Sequence, residues 1–166
     1  MLIRNERVGD EEAIRRVHLE AFGGDLEARL VDLLRQRRKA ITSLVAVEHG
    51  HVVGHILFSR VTIDNAPGCR ALGLAPVGVR PANQRTGIGS RLVREGLLRC
   101  QEAGYDVVVL IGAPAYYMRF GFEAAEPHGL DNEYGANDEF MVLELRKGSL
   151  AALTGLVRYA PEFAEL

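Results

Sequence analysis

The sequence carries little net charge, few cysteines, few lysines and no long apolar run. Its formal charge is −2 at neutral pH, which gives no reason to expect nucleic acid or an anionic membrane as a partner. Only Lys39 and Lys147 are lysines; the remaining basic charge is arginine. Cys69 and Cys100 form no Cys-x-x-Cys pair, and the five histidines make no His-Glu-x-x-His pattern, so neither a disulfide scaffold nor a zinc site is indicated. No segment is apolar for long enough to span a bilayer, and Met1–Asp10 has no signal-peptide core, so a cytoplasmic location is expected. What is present is ordinary for a globular chain: 48% hydrophobic and 25% charged residues argue against disorder. A chain of 166 residues has room for one domain, here 1–147, with a tail at 148–166 that packs on the domain or on a partner subunit.

Local patterns predict the elements. Met1–Arg7 reads as a strand. Asp10 is a candidate N-cap for a helix with Ile14, Val17, Ala21 and Phe22 on one face, and Gly23-Gly24 ends it. Asp25 is a candidate cap for a second helix carrying Leu26, Leu30, Leu33 and Leu34. The basic run Arg35–Lys39 suits the negative C-terminal end of that helix. Thr42–Glu48, the turn His49-Gly50 and His51–Arg60 read as a hairpin. Arg70–Val79 is apolar on both faces, as a central strand is. Leu92, Val93, Gly96, Leu97 and Cys100 form a helix stripe, with Gly104 just past its end. Val107–Ile111 reads as a buried parallel strand, Pro114–Gly121 as a short helix, 123–139 as loop and Phe140–Leu145 as a last strand. The expected order is β-α-α-β-β-β-α-β-α-β, a mixed sheet with helices on both faces.

The stretch with chemical content is Val77–Leu92. It runs from strand through a glycine-rich turn into a helix. Unpaired N–H groups at a helix start make an anion site, and Gly87 and Gly89 remove side chains that would hold a phosphate away. A dinucleotide fingerprint does not fit. Leu92 stands where a third glycine belongs, seven residues separate Val79 from Gly87, and Asp106 precedes the next strand instead of following it. No Gly-Lys-Ser/Thr occurs, so a P-loop is excluded too.

Gln84-Arg85-Thr86-Gly87-Ile88-Gly89 matches Gln/Arg-x-x-Gly-x-Gly/Ala, and Tyr116-Tyr117-Met118-Arg119-Phe120-Gly121-Phe122 follows after the next strand. In these segments the sequence resembles the GNAT superfamily of acetyl-CoA-dependent N-acetyltransferases, and the second motif resembles a bacterial subgroup of it. The resemblance covers Met1 to about Leu145. It implies a three-layer α-β-α fold whose central mixed sheet splays between the fourth and fifth strands. It implies acetyl-CoA as cosubstrate, with Val77, Gly78 and Val79 along the pantetheine and Gln84, Arg85, Thr86, Gly87, Ile88, Gly89 and Ser90 around the pyrophosphate. Arg91 and Arg94, with Arg85, are candidates for the outer phosphates. Tyr117, four residues before Gly121, takes the place of the family's tyrosine general acid. Tyr116 is structural or substrate-lining. The acceptor implied is an amine on a small molecule or a peptide.

No acid stands on the stretch Leu72–Val77, so the general base is open. Glu20, Asp25 and His55 are candidates, and a water chain is an alternative. The six carboxylates of 123–139, with no Lys or Arg among them, would attract a cationic amine if they border the acceptor pocket. A CoA-binding sensor without turnover is the competing functional reading. Leu150, Leu153, Leu156, Val157, Tyr159 and Phe163 make the tail apolar enough for a homodimer contact.

Overall fold

The structure is a computed structural model that describes residues 1–166. The elements run β1 (Leu2–Asn5), α1 (Glu11–Phe22), α2 (Leu26–Gln36), β2 (Ala40–Glu48), β3 (His51–Ile63), β4 (Ala71–Val79), α3 (Ile88–Glu102), β5 (Val107–Ile111), α4 (Pro114–Tyr117), β6 (Glu123–Ala124), β7 (Leu130–Asn132), β8 (Phe140–Glu144) and β9 (Gly155–Arg158). Strands hydrogen-bond in the order β1-β2-β3-β4-β5-β8-β6, with β9 on the end of β3 and β7 on β9. The chain clusters into two compact units: Met1–Ser59, Ala75–Gly96 and Pro161–Leu166 in one, Arg60–Leu74 and Leu97–Ala160 in the other. Strands β3 and β4 and helix α3 each begin in one unit and end in the other.

In the first unit, β1 and β2 pair antiparallel, and β2 and β3 form the expected hairpin. Its turn puts both His49 (φ 49°) and Gly50 (φ 78°) in the left-handed region, the geometry of a two-residue turn whose twist matches the strands. Neighbouring residues of β3 show the layering. A Cβ on Gly54 would lie 3.0 Å from Leu92 and 3.2 Å from Ile88 of α3, while His55 hydrogen-bonds His18 of α1. Successive strand residues point to opposite faces, so α1 and α3 cover opposite sides of the sheet. The α3 stripe is buried as expected: Leu92, Val93, Leu97 and Cys100 lie inside.

In the second unit, β4 and β5 are parallel, with Ala71, Leu72 and Gly73 opposite Val107, Val108 and Val109. The register ends there, although β4 continues to Val79. Pro76, which has no N–H to donate, lies in the part that leaves β5. Strand β8 runs antiparallel to β5 from Phe140 to Glu144. The mixed sheet, its flanking helices and the parting of the fourth and fifth strands agree with the fold expected from sequence.

Several local expectations are corrected. Neither Asp10 nor Asp25 caps its helix through its side chain. The Asp10 carboxylate is taken by Arg4 at 2.7 and 3.1 Å and by the Arg7 N–H at 2.7 Å. The buried stripe of α2 is Ala28, Leu30, Val31 and Leu34, while Leu26 is exposed. The segment 123–139 is not only loop, since it holds β6 and β7. The C-terminal segment contains β9, whose Val157 lies opposite Ile63 of β3 and Asn132 of β7. Beyond it, Glu162 is buried and meets Arg37 at 3.0 Å and Lys39 at 2.7 Å. Burial pushes this carboxyl up, but hydrogen bonds from Lys39 and Arg37 more than offset it, leaving it at about 2. Arg35 is held by Glu6 and Asp32. Three charges of the basic run are therefore committed to internal acids.

Candidate active site

The first unit contains the glycine-rich turn between β4 and α3. After a 3-10 turn at Pro81–Asn83, Gln84 returns its side-chain Nε2–H to the Val79 carbonyl at 2.9 Å. The Thr86 hydroxyl donates to the Asn83 carbonyl at 2.6 Å. The first bond ties the loop to the strand that leads into it, and the second closes the loop on itself. Arg85 (φ 62°) and Gly87 (φ 89°) are both left-handed, with Thr86 between them. A left-handed residue beside right-handed ones turns successive N–H groups to one side, a concavity suited to an anion. The Arg91 N–H bonds the Gly87 carbonyl at 3.1 Å, so the N–H groups of Ile88, Gly89 and Ser90 come before the helical ladder. Gln84 to Gly87 are exposed, and a Cβ on Gly87 would meet nothing within 4 Å. Gly87 is therefore required for its backbone angle, not for space inside the fold. The helix that follows has fifteen residues, long enough for its dipole to favour negative charge at this end.

On the strand before the loop, Gly78 is buried and Val77 and Val79 are half-buried. A Cβ on Gly78 would stand 2.9 Å from Nδ1 of His18 and 3.3 Å from the Phe22 ring. Position 78 is glycine because α1 lies directly on it.

The base candidates fare differently. Glu20 is bonded to Arg80 at 2.8 Å, near the rim of the first unit's strand β4. Asp25 is exposed, with Arg29 at 3.9 Å. His55 is fully buried and hydrogen-bonded at both ring nitrogens, to His18 at 2.8 Å and to Ser43 at 2.8 Å. Burial first, then the charges of His18 and Arg35, hold it well below the ordinary imidazole range. His18 was missed by sequence reading. Its signal was there: it stands four residues after Ile14 and four before Phe22, on the buried face of α1.

The second unit holds the aromatic motif. Pro114 opens α4, and Gly121 (φ 98°) ends the 3-10 turn that follows, as the Pro-first and Gly-last pattern predicts. The Tyr117 ring packs on Gly112, where a Cβ would be 2.5 Å from it. Phe122 and Tyr116 stand edge-on to it at 6.0 and 5.0 Å. Burial, then Tyr116, push the Tyr117 phenol up to about 12, so it stays protonated through the physiological range. Tyr116 carries the Arg119 guanidinium over its face at 4.6 Å. Of the acids in 123–139, Glu123 is bonded to His128 and Glu133 accepts the Tyr159 N–H at 2.8 Å.

A family model described as an acetyltransferase (GNAT) domain matches residues 3–125. The chain belongs to the GNAT acetyltransferase family. Among its GNAT relatives, the N-acetyltransferase YhbS of Escherichia coli strain K12 is 38% identical over 165 residues, covering 98% of each chain. A crystal structure of E. coli YhbS in complex with CoA aligns with a TM-score of 0.94 at 36% identity, over 98% of this chain and 91% of that one. A GNAT acetyltransferase from Brucella melitensis in complex with acetyl-CoA aligns with a TM-score of 0.83 at 38% identity, over 98% and 97% of the two chains. The family suggested by the glycine and tyrosine motifs is the family found.

Proposed function

We propose that the chain transfers acetyl from acetyl-CoA to a primary amine by direct attack. The observation that carries this reading is the exposed turn in which left-handed Arg85 and Gly87 precede the open N–H groups of Ile88, Gly89 and Ser90. Such a turn suits a pyrophosphate. The GNAT relatives solved with CoA and acetyl-CoA support the same ligand. In this reading Gln84–Ser90 hold the pyrophosphate and the backbone of Val77, Gly78 and Val79 lies along the pantetheine as an added strand.

The chemistry forms an N–C bond and breaks the C–S bond of the thioester. Tyr117 is the proton donor to the departing thiolate. In water the thiolate of a thiol of pKa about 8.5 would take almost no proton from so weak an acid as this phenol. The burial that raises the phenol also raises a thiolate beside it, because both anions lose solvation together. The acceptor must attack as the free amine, and an alkylammonium of pKa about 10.4 must lose a proton to do so.

The test is an acetyl-transfer assay with primary amines of several classes: polyamines, amino sugars, amino-acid esters and peptides with free N-termini. Amine-dependent release of thiol, together with an acetylated product by mass spectrometry, is the expected result. Tight CoA binding with no thiol release for any amine would overturn transfer and leave a CoA-binding sensor.

A further inference from the structure

The first unit contains a continuous hydrogen-bonded chain of four polar side chains that the proposed function does not use. Glu6 accepts from Arg35 at both oxygens, 2.7 and 2.9 Å. The Ser43 hydroxyl donates to Glu6 at 3.2 Å. Ser43 Oγ is 2.8 Å from His55 Nε2, and His55 Nδ1 is 2.8 Å from His18 Nε2. Both histidines are fully buried, whereas Glu6 retains 17% exposure of its side chain. The chain thus begins under α1 and ends at a carboxylate with access to solvent.

Satisfying every bond assigns the protons. Ser43 gives its hydrogen to Glu6, so it accepts from His55, and His55 carries its proton on Nε2. His55 is neutral, so its Nδ1 is an acceptor, and His18 must donate to it from Nε2. A neutral His18 then has a bare lone pair on Nδ1. That atom is buried and has no hydrogen-bond partner. A buried polar atom without a partner costs stability, so its persistence calls for a reason. The atom faces Gly78 on the strand assigned above to the pantetheine. Phe22 stacks on the His18 ring, with centroids 5.9 Å apart and planes at 17°. Phe22 is 46% exposed and is followed by Gly23 and Gly24, so its ring can turn aside without disturbing the core.

We propose that His18 is the proton acceptor of the acetyl-transfer reaction, and that His55, Ser43 and Glu6 hold it as the Nε2–H tautomer whose Nδ1 is free to accept. This rests on the acetyl-transfer reading above. The amine nitrogen forms its bond to the thioester carbonyl and becomes positively charged. It then loses a proton to His18 Nδ1 with Phe22 turned aside. His18 becomes an imidazolium that keeps its Nε2–H bond to His55 Nδ1, and with Phe22 still aside it gives the Nδ1 proton up to solvent. The C–S bond breaks and the thiolate takes the Tyr117 proton. The tyrosine recovers a proton from solvent and His18 returns one to it, so both groups enter the next turnover as they began. His18 is the catalytic residue of this set; the other three act through it.

The groups facing His18 are His55 from β3 and Phe22 from its own helix, with Arg35 of α2 acting at longer range; Gly78 brings no charge from β4. Burial, then Arg35, lower His18 to about 4, so its lone pair is available above that pH.

The decisive variant is His18→Gln. Its amide can still donate where Nε2 did, but it offers no acceptor at the Nδ1 position. We expect normal CoA affinity and a loss of about 10²-fold in kcat at pH 7 that shrinks towards pH 9, as hydroxide takes over from the missing base. Because a buried substitution can disturb folding, a second measurement uses the wild-type chain. Nitrogen-15 shifts of labelled histidine should show His18 and His55 as neutral Nε2–H tautomers at neutral pH. An Nδ1–H tautomer at His18, or a folded His18→Gln with wild-type kcat and pH profile, overturns the role of His18 while acetyl transfer stands. A wild type that binds acetyl-CoA and transfers to no amine overturns both.

Discussion

Replacing Tyr117 by phenylalanine should lower kcat for acetyl transfer by about 10³-fold and leave CoA affinity unchanged. The ring is a packing element in its own right. It fills the space over Gly112 and meets Phe122, Phe120 and Tyr116 through ring contacts that a phenylalanine keeps. The substitution therefore removes one hydroxyl and almost no contact area. Loss of turnover at constant stability would assign the effect to the proton that this hydroxyl carries. With the phenol at about 12, the wild-type rate should show no decline from tyrosine ionisation below about pH 11. Steady-state kinetics and CoA titration on both proteins give the comparison. A variant with wild-type kcat would remove Tyr117 from the chemistry and leave it as a wall of the aromatic cluster.

The largest effect on stability is expected at Gly155. This residue opens β9 with φ 135°, and a Cβ there would lie 2.1 Å from the Asp64 carbonyl oxygen. The obstacle is backbone, so no side-chain rotation relieves it. Gly155 also donates to the Gly129 carbonyl at 3.0 Å, and it stands opposite Leu130 at the start of the β7–β9 ladder. Backbone strain and overpacking together should cost Gly155→Ala about 3–5 kcal/mol. At about 2–4 °C per kcal/mol, its melting temperature falls by roughly 10 °C. Gly148→Ala is the matched control. It has φ 87° but nothing within 4 Å of a Cβ, so it carries strain alone and should lose about 1 kcal/mol. Thermal and chemical denaturation of the pair separate the two contributions. Equal losses would mean that the approach of Asp64 is relieved by a shift of β9.

These two positions also mark what can be read from sequence. The glycine-rich turn between β4 and α3 was legible because its requirements are local. Two glycines, a strand before them and a helix after them fall within one short stretch, whereas the left-handed angle of Arg85 shows only in the structure. The β2–β3 hairpin and the end of α3 at Gly104 were legible for the same reason. Gly155 was not, since its obstacle is Asp64, far off in the chain. Strand β9 was hidden similarly: four residues show no alternation that a tail would lack, and only pairing with Thr62–Ile63 and β7 makes them a strand.

The Asp10 cap failed because another partner outbid the helix. Asp10 has the right residue type and position, yet a bidentate arginine holds a carboxylate more firmly than a backbone N–H does. The histidine chain was the least legible feature. His18 and His55 are thirty-seven positions apart, and each alone looks like a core histidine. Their relation exists only once α1 lies across β3 and β4. The stretch Leu72–Val77 carries no acid, and the residue after it is Gly78. The structure accounts for that glycine by the imidazole packed against it.

The central claim is that the N–H groups from Arg85 to Ser90 hold the pyrophosphate of acetyl-CoA. Hydrogen exchange of these amides, measured with and without CoA, tests it most directly. Saturating CoA should slow exchange at Gly87, Ile88, Gly89 and Ser90, with a smaller change over α2. If CoA binds and these amides exchange at their free rates, the cofactor lies elsewhere and the account of this site is wrong.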